Sequence, residues 1–232
     1  MIIYGKNTVK EAILAGRTVY MVYKDKKFSD RAIDNLIDQH KLKVKLTDKH
    51  DLNLMTSEGL HQGIVAEVRD YKTYQIEDMF DGKVKRVVIL DKIEDPHNFG
   101  AIIRTAEAVK MDYIIIQTKG QAQISPVVAK IASGALEHVK IVVVSNLNNA
   151  VLKMKENGFW IIGSSLDGTE TFTEIDPNLS YGVIVGNEGL GISYQLKQNC
   201  DFMVKIPMIG QVNSLNVSVA AALLIYKLKE LF

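Results

Sequence analysis

Residues 181–193 have the sequence YGVIVGNEGLGIS, an apolar run that ends in three glycines separated by an asparagine and a glutamate. Glycines that directly follow a buried strand mark many nucleotide-binding loops. The order of Gly186, Gly189 and Gly191 gives G-x-x-G-x-G, whereas a dinucleotide-binding turn requires G-x-G-x-x-G. No lysine follows Gly191, as a phosphate-binding loop would require. Both common explanations of such a loop are therefore excluded.

The sequence around this stretch predicts an α/β domain over residues 86–232. Its apolar runs are RVVILDKI, YIIIQ, VKIVVVS, FWIIGSS, YGVIVGN and FMVKIP. They are apolar throughout instead of alternating, which is typical of strands buried on both faces of a parallel sheet. Helical patterns lie between most of them and start near Asn98, Ser125 and Asn146. We therefore expect a mostly parallel sheet with helices on both sides.

The first 70 residues predict a smaller α/β unit. Short β-branched or aromatic runs at residues 19–23 and 63–68 alternate with helical patterns. Residues 71–85 are polar and weakly periodic, so we interpret them as a linker. Basic side chains crowd the first fifty positions, and they form either a solvated face or a phosphate-contacting surface; they are Lys24, Lys26, Lys27, Arg31, Lys41, Lys43 and Lys45.

The composition narrows the class of protein. The chain has 232 residues, is 47% hydrophobic and 24% charged, and carries a net charge of +1, which is ordinary for a globular protein. The single cysteine, Cys200, cannot form an internal disulfide, so a reducing cytoplasm is the expected compartment. No apolar run approaches the ~20 residues of a membrane span, and the first residues become polar too early for a signal peptide. The five histidines show no ligand spacing, so we predict no metal site.

Polar residues follow several of the predicted strands, where parallel sheets bind ligands. In residues 90–108, LDKIEDPHNFGAIIRTAEA, Asn98 lies where a helix cap is expected, and Arg104 follows further along. Ile102 and Ile103 flank Arg104, so we expect its stem to pack on the core and its guanidinium to point at the strand ends.

A further polar pair precedes the last helical pattern, in residues 205–228, KIPMIGQVNSLNVSVAAALLIYKL. We expect Ser214 or Asn213 to cap an almost wholly apolar helix. Ser214 and Asn216 would then be buried at its start, and a buried polar group without a partner costs roughly 1–3 kcal/mol. Both side chains should therefore have assigned partners.

Together these segments resemble the three motifs of the SpoU/TrmH branch of the SPOUT RNA 2′-O-methyltransferases. The motif D-P-x-N-x-G-x-x-x-R-T-A is present at residues 95–106, G-N-E-x-x-G at 186–191 and S-L-N-V-S-x-A at 214–220. The segments YGKNTVKEAILAG and HQGIVAEV also resemble the substrate-binding domain of the 23S rRNA guanosine 2′-O-methyltransferases. In that group the domain is similar to an RNA-binding ribosomal protein.

The resemblance implies a homodimer that binds S-adenosylmethionine in a deep trefoil knot near the C-terminus. The glycine stretch from Gly186 and the bend at residues 206–210 would form the knot, and the helix predicted at 217–231 would lie at the dimer interface. The residues implied for cofactor binding are Gly186, Asn187, Gly191, Ile206, Met208 and Leu215.

The resemblance also implies the reaction, which is methyl transfer to a ribose 2′-hydroxyl. Arg104 would be the central catalytic residue, surrounded by Asn98, Glu188, Ser214 and Asn216. Since an arginine is hard to deprotonate, we expect Arg104 to clamp the phosphate and the developing alkoxide. Asn98, Ser214 and Asn216 would orient Arg104 and the ribose, while Glu188 holds the motif loops.

The expected substrate is a guanosine of 23S rRNA, and neither DNA nor a membrane is an expected partner. Three alternatives stay open. The chain could be a tRNA ribose methyltransferase, a resistance-type rRNA methylase with another target nucleotide, or a non-catalytic RNA-binding factor for ribosome assembly.

Overall fold

The computed structural model describes residues 1–57, 59–165, 176–211 and 214–229. Within these ranges, strands and helices alternate along most of the chain. Their order is β1 (Ile2–Tyr4), α1 (Lys6–Leu14), β2 (Val19–Asp25), α2 (Arg31–Gln39), β3 (Val44–Thr47), α3 (Lys49–Met55), β4 (Ile64–Val68), β5 (Thr73–Tyr74), β6 (Arg86–Leu90), α4 (Pro96–Ala108), β7 (Tyr113–Gln117), α5 (Pro126–Ala132), β8 (Lys140–Val144), α6 (Leu147–Glu156), β9 (Phe159–Ser164), β10 (Ser180–Val185), α7 (Tyr194–Gln198), β11 (Phe202–Val204) and α8 (Val217–Leu228).

The chain divides into two compact units. The first contains Met1–Tyr71 together with Ile124–His138, and the second contains Lys72–Gln123 together with Val139–Phe232. The segment Ile124–His138 lies inside the stretch predicted as one domain, 86–232, yet its contacts group it with the N-terminal residues. The predicted boundaries at 70 and 86 stay a prediction.

The first unit is built on a four-stranded mixed sheet in the order β1-β4-β2-β3. Strand β4 pairs antiparallel with β1 and with β2, and β2 pairs parallel with β3. On one side of the sheet, Tyr4 and Val65 pack with Leu52 of α3. The predicted α/β character of this half is therefore confirmed.

The segment Ile124–His138 is bound to the first unit by apolar and ionic contacts. Val128 and Ala129 of α5 are fully buried. Arg17 forms an ion pair of 2.9 Å with Glu137, and the two side chains are only 8% and 6% exposed. The guanidinium of Arg17 also lies 3.4 Å from the centre of the Tyr71 ring. Because a buried charge is costly without its partner, Glu137 requires Arg17 in the folded unit.

The second unit is a seven-stranded parallel sheet in the order β11-β9-β10-β6-β7-β8-β5. The predicted mostly parallel sheet is confirmed. The edge strand β5 comes from residues 71–85, which were predicted as a linker, so part of that segment belongs to the sheet. The predicted knot stays a prediction, because residues 166–175 and 212–213 lie outside the described ranges.

Helices cover both faces of this sheet. Val87 and Ile89 of β6 belong to a core cluster with Leu147 and Val151 of α6 and Leu196 of α7. Side chains alternate along a strand, so Val88 and Leu90 point to the opposite face. There α8 packs on β10 and on α4. Both faces are therefore apolar, which explains the continuous apolar runs in the sequence. Within the described ranges, no helix is long and apolar enough to span a membrane.

Candidate active site

A pocket of about 280 Å³ opens beside the carboxyl ends of β9 and β10. Its lining includes every residue that the resemblance implies for cofactor binding, and also Glu188 and Ser214. The lining residues are Ser164, Ser165, Val185, Gly186, Asn187, Glu188, Gly189, Leu190, Gly191, Ile192, Lys197, Ile206, Met208, Ser214, Leu215, Val217 and Ala220. The three motif segments contribute unequally, since the first of them, residues 95–106, supplies none of this lining.

The loop after β10 is closed on itself by the backbone and side chain of Asn187. The backbone of Asn187 exchanges two hydrogen bonds with Gly191, of 3.0 and 2.9 Å. The side-chain oxygen of Asn187 accepts from the backbone N–H groups of Gly189 at 2.9 Å and Leu190 at 3.2 Å, and its amide nitrogen donates to the carbonyl of Lys92 at 3.0 Å. The side chain of Asn187 therefore fixes the loop, which sequence reasoning did not foresee.

The three glycines of the loop differ in whether a side chain would fit at their positions. A Cβ on Gly186 would lie 2.3 Å from the backbone carbon of Gly191 and 2.3 Å from the nitrogen of Ile192, so no side chain fits there. Gly191 has a φ of +66°, a conformation that favours glycine. A Cβ on Gly189 would meet its nearest neighbour only at 3.7 Å. The close approach at Gly186 is thus to the protein's own backbone.

A directional chain of hydrogen bonds connects α8 to this loop through α4. The hydroxyl of Ser218 donates to the side-chain oxygen of Asn216 at 2.6 Å. The side-chain nitrogen of Asn216 donates to the oxygen of Asn98 at 3.1 Å, and the nitrogen of Asn98 donates to the carboxylate of Glu188. Each amide is therefore oriented by the group before it, and the chain ends on a carboxylate that lines the pocket.

The helix caps differ from those expected. The cap of α4 is Asp95, whose carboxylate accepts from the backbone of His97, and Asn98 lies buried in the first turn. The cap of α8 is Asn216, while Ser214 precedes the helix. Ser214 and Asn216 are both exposed. The prediction that these two side chains are buried at the start of the helix is therefore wrong. Asn213 lies outside the described residues.

Arg104 does not meet the expectation for its side chain. It is exposed on α4, whereas Ile102, Ile103 and Ala106 are buried. Six residues separate it from Asn98, a rotation of about 240° around the helix, so the two side chains leave from different faces. Within the described residues, Arg104 belongs to none of the ion pairs and does not line the pocket. Its catalytic role stays a prediction.

Two residues beside the pocket were missed in the sequence. Asp91 is 3% exposed, and its carboxylate accepts from the backbone N–H of Ser193 at 2.7 Å, which anchors the far end of the glycine loop. An acid directly after a buried strand was the available signal. Lys197 of α7 lines the pocket, but no motif includes it. Among the described residues, no cluster of metal-binding side chains is present.

Two family models match the chain, each over a continuous range of residues. A family model described as "SpoU rRNA Methylase family" matches residues 85–226. The chain belongs to this family. A second model, "RNA 2'-O ribose methyltransferase substrate binding", matches residues 2–74. The resemblance to the SpoU/TrmH branch is confirmed, and the chain is an RNA methyltransferase of the SpoU/TrmH family.

Individual relatives agree with this assignment. The chain is 36% identical to a protein of Staphylococcus saprophyticus named for the TrmH family of tRNA/rRNA methyltransferases, with 98% of this chain and 94% of the relative covered. It also resembles the structure of an AdoMet-bound rRNA methyltransferase from Sinorhizobium meliloti, with a TM-score of 0.83, 19% identity and coverage of 99% and 86%.

A shorter relative matches only part of the chain. The structure of a TrmH/SpoU tRNA modifying enzyme from A. aeolicus has a TM-score of 0.57 and 30% identity, covering 67% of this chain and 83% of that one. S-adenosylmethionine, predicted from the resemblance, is the cofactor that this SpoU/TrmH family uses.

Proposed function

We propose that this SpoU/TrmH protein transfers a methyl group from S-adenosylmethionine to the 2′-hydroxyl of a ribose in RNA. One observation carries the proposal. A single pocket gathers all six residues implied for cofactor binding together with Glu188. Glu188 accepts a hydrogen bond from Asn98, and Asn98 accepts one from Asn216. Segments separated by more than a hundred residues thus meet at one site.

The pocket suits a cofactor that is both apolar and charged. Its volume, about 280 Å³, is near the lower end of the roughly 300–1,000 Å³ typical of small-molecule sites. Ile206, Met208 and Leu215 provide apolar walls for an adenosine group, and Gly186, Gly189 and Gly191 contribute backbone without side chains to the wall. One carboxylate and one ammonium also line it, from Glu188 and Lys197.

The reaction requires help at the nucleophile. When bound, S-adenosylmethionine supplies a methyl group on a positively charged sulfur. A ribose hydroxyl is a weak nucleophile, so the protein must stabilise the developing alkoxide or remove its proton. We assign Asn98 and Asn216 to the orientation of the reacting groups, because their own amides are held by the chain that ends on Glu188. Ser214 offers a hydroxyl at the pocket wall.

We assign Arg104 to the RNA. An exposed guanidinium can form two parallel hydrogen bonds with a phosphate, and it is a poor base because a guanidinium group does not readily lose a proton. In this proposal, Arg104 clamps the phosphate beside the target ribose and stabilises negative charge on the 2′-oxygen. The exposure of its side chain supports a partner that comes from outside the chain.

The proposed assembly is a homodimer. On α8, Val219 and Leu223 are 48% and 37% exposed, and residues four apart lie on the same face of a helix. Apolar patches of this kind are commonly covered by a second copy. Sedimentation of the purified protein tests this, and a monomer at micromolar concentration would contradict it.

We propose rRNA as the substrate, and a guanosine of 23S rRNA in particular. The N-terminal match to a substrate-binding domain supports rRNA, as does the coverage of the rRNA methyltransferase from S. meliloti, which includes 99% of this chain. The tRNA enzyme from A. aeolicus covers only 67%. An RNA substrate and a single cysteine both support a cytoplasmic location.

The decisive experiment supplies labelled S-adenosylmethionine with naked 23S rRNA or with total tRNA, and then maps the ribose-methylated position. We expect label in 23S rRNA at a guanosine 2′-oxygen. Label in tRNA alone would move the assignment to a tRNA ribose methyltransferase, and another rRNA nucleotide would indicate a resistance-type methylase. If calorimetry shows no binding at millimolar cofactor, the protein is a non-catalytic assembly factor.

A further inference from the structure

Two charged side chains line the pocket among the described residues, and they have opposite signs. They are Glu188, in the glycine loop, and Lys197, on α7. Glu188 already accepts a hydrogen bond from Asn98, so its charge is partly compensated within the protein. Lys197 requires a separate explanation, because none of the three motifs includes it and no ion pair to it is present in the part of the chain that the structure describes.

Lys197 has no acidic partner within the described ranges. The nearest acid along the chain, Asp201, forms a 2.7 Å ion pair with Lys155 and accepts from the backbone N–H of Ile161 at 2.8 Å. Among the described residues of the second unit, Lys85 also pairs with Asp81 and Lys153 with Glu77, whereas Lys119 and several other exposed lysines have no ion pair. Lys197 is therefore a half-buried residue at the pocket wall, and its ammonium has no ion-pair partner among the described residues.

A half-buried cation of this kind favours an anion, because the local dielectric is lower than that of water. The proposed cofactor carries one anionic group, the carboxylate of its methionine portion. We infer that Lys197 binds this carboxylate and so positions the cofactor in the pocket. The inference rests on the proposed function, since it concerns the same pocket and the same cofactor.

The assignment also divides the pocket. The apolar side chains of Ile206, Met208 and Leu215 are left to the adenosine portion, and the α7 side of the wall becomes the subsite for the amino-acid portion. Lys197 would thereby discriminate between cofactor analogues by charge. S-adenosylmethionine and S-adenosylhomocysteine have the carboxylate, whereas decarboxylated S-adenosylmethionine lacks it.

The test is calorimetric titration of these three compounds into the wild-type protein and into Lys197→Met, which keeps the apolar stem but removes the charge. We expect the Kd of both carboxylate compounds to rise about tenfold, with no change for the decarboxylated one. Lys197→Arg keeps the cation and should stay within about threefold of wild type. Lys119→Met, at an exposed lysine outside the pocket, controls for the loss of one positive charge.

Two outcomes would overturn the inference. If Lys197→Met weakens all three compounds equally, the residue supports the pocket without recognising the carboxylate. If it weakens none, Lys197 is a solvated surface lysine. In both cases wild-type binding and RNA methylation would persist, so the proposed function would stand. Failure of the wild-type protein to bind S-adenosylmethionine would instead overturn the proposed function, and the role of Lys197 with it.

Discussion

The side-chain nitrogen of Asn216 lies 3.1 Å from the side-chain oxygen of Asn98, although 118 residues separate them in the chain. This bond fixes which way the Asn98 amide faces. Its oxygen is occupied by Asn216, so its nitrogen must point to the carboxylate of Glu188. The donor-to-acceptor direction of the whole chain of hydrogen bonds, from Ser218 to Glu188, is therefore set at the start of α8.

Replacing the donor of Asn98 that faces Glu188 by an acceptor should impair methylation. Asn98→Asp has nearly the same shape, but it would face the Glu188 carboxylate with a second negative charge. The lost bond to a charged group is worth about 1.5–3 kcal/mol, so we expect kcat/KM for RNA to fall about ten- to a hundredfold. A rate near that of wild type would show that this bond has no part in the reaction.

Ser218 should act through Asn216 and not on the substrate. Ser218→Ala removes the 2.6 Å bond to the Asn216 oxygen but keeps the backbone N–H bond of 2.9 Å. We expect kcat to fall about threefold to tenfold, with KM for the cofactor unchanged. Ser218→Thr retains the hydroxyl and should restore kcat. If the threonine variant is as slow as the alanine variant, the positioning role is wrong.

The glycine loop offers a matched pair of stability tests. Gly186→Ala places a methyl group 2.3 Å from backbone atoms, so the free energy of unfolding should fall by about 1–3 kcal/mol. Gly189→Ala places its methyl group in ordinary contact, 3.7 Å from the side-chain oxygen of Asn187, and should change the free energy by less than ~0.5 kcal/mol. Denaturant titration measures both. Equal effects at the two positions would contradict the close backbone approach.

Arg104→Lys tests the proposed clamp. The substitution keeps the positive charge but loses the planar guanidinium that forms two parallel bonds with phosphate. We expect kcat/KM for RNA to fall at least about tenfold, while calorimetry gives an unchanged Kd for S-adenosylmethionine because Arg104 lies outside the pocket. Methylation at a near wild-type rate would exclude the clamp.

Cys200 should be slow to alkylate in the folded protein. Burial raises the pKa of its thiol from 9.0 to about 11, and the thiolate is the reactive form. At pH 8, two pKa units correspond to about a hundredfold less thiolate than in the unfolded chain, so iodoacetamide should react about a hundredfold more slowly. Equal rates for folded and denatured protein would contradict this.

The raised pKa of Cys200 also makes the free energy of unfolding depend on pH. The folded state keeps the thiol proton at a pH where the unfolded state has lost it, so this stabilisation is complete below about pH 9 and is lost as pH rises through the folded pKa of about 11. Cys200→Ala should lack this contribution. The difference in unfolding free energy between the two proteins should therefore shrink between pH 9 and pH 11.

The sequence predicted those features that depend on local patterns. The apolar runs identified β6, β7 and β10 because both faces of these strands are buried, and the motif glycines identified the loop that lines the pocket. Tertiary contacts decided the rest. The bond of Asn187 to the carbonyl of Lys92 and the bond of Asn216 to the side chain of Asn98 join residues that are far apart in the chain, so local patterns could not predict them. The exposure of Arg104 depends on the rotation of α4, which its apolar neighbours alone did not reveal.

The ion pair between Arg17 and Glu137 has a practical consequence for dissecting the protein. A truncation that removes the first 71 residues would also remove the apolar cover from Val128 and Ala129 and leave Glu137 without its cation. Such a fragment would expose the apolar side of α5, in the connection between β7 and β8, and this surface would favour aggregation. An isolated methyltransferase half therefore needs a redesigned 124–138 segment as well as a new N-terminus, because the chain cannot be divided by a single cut.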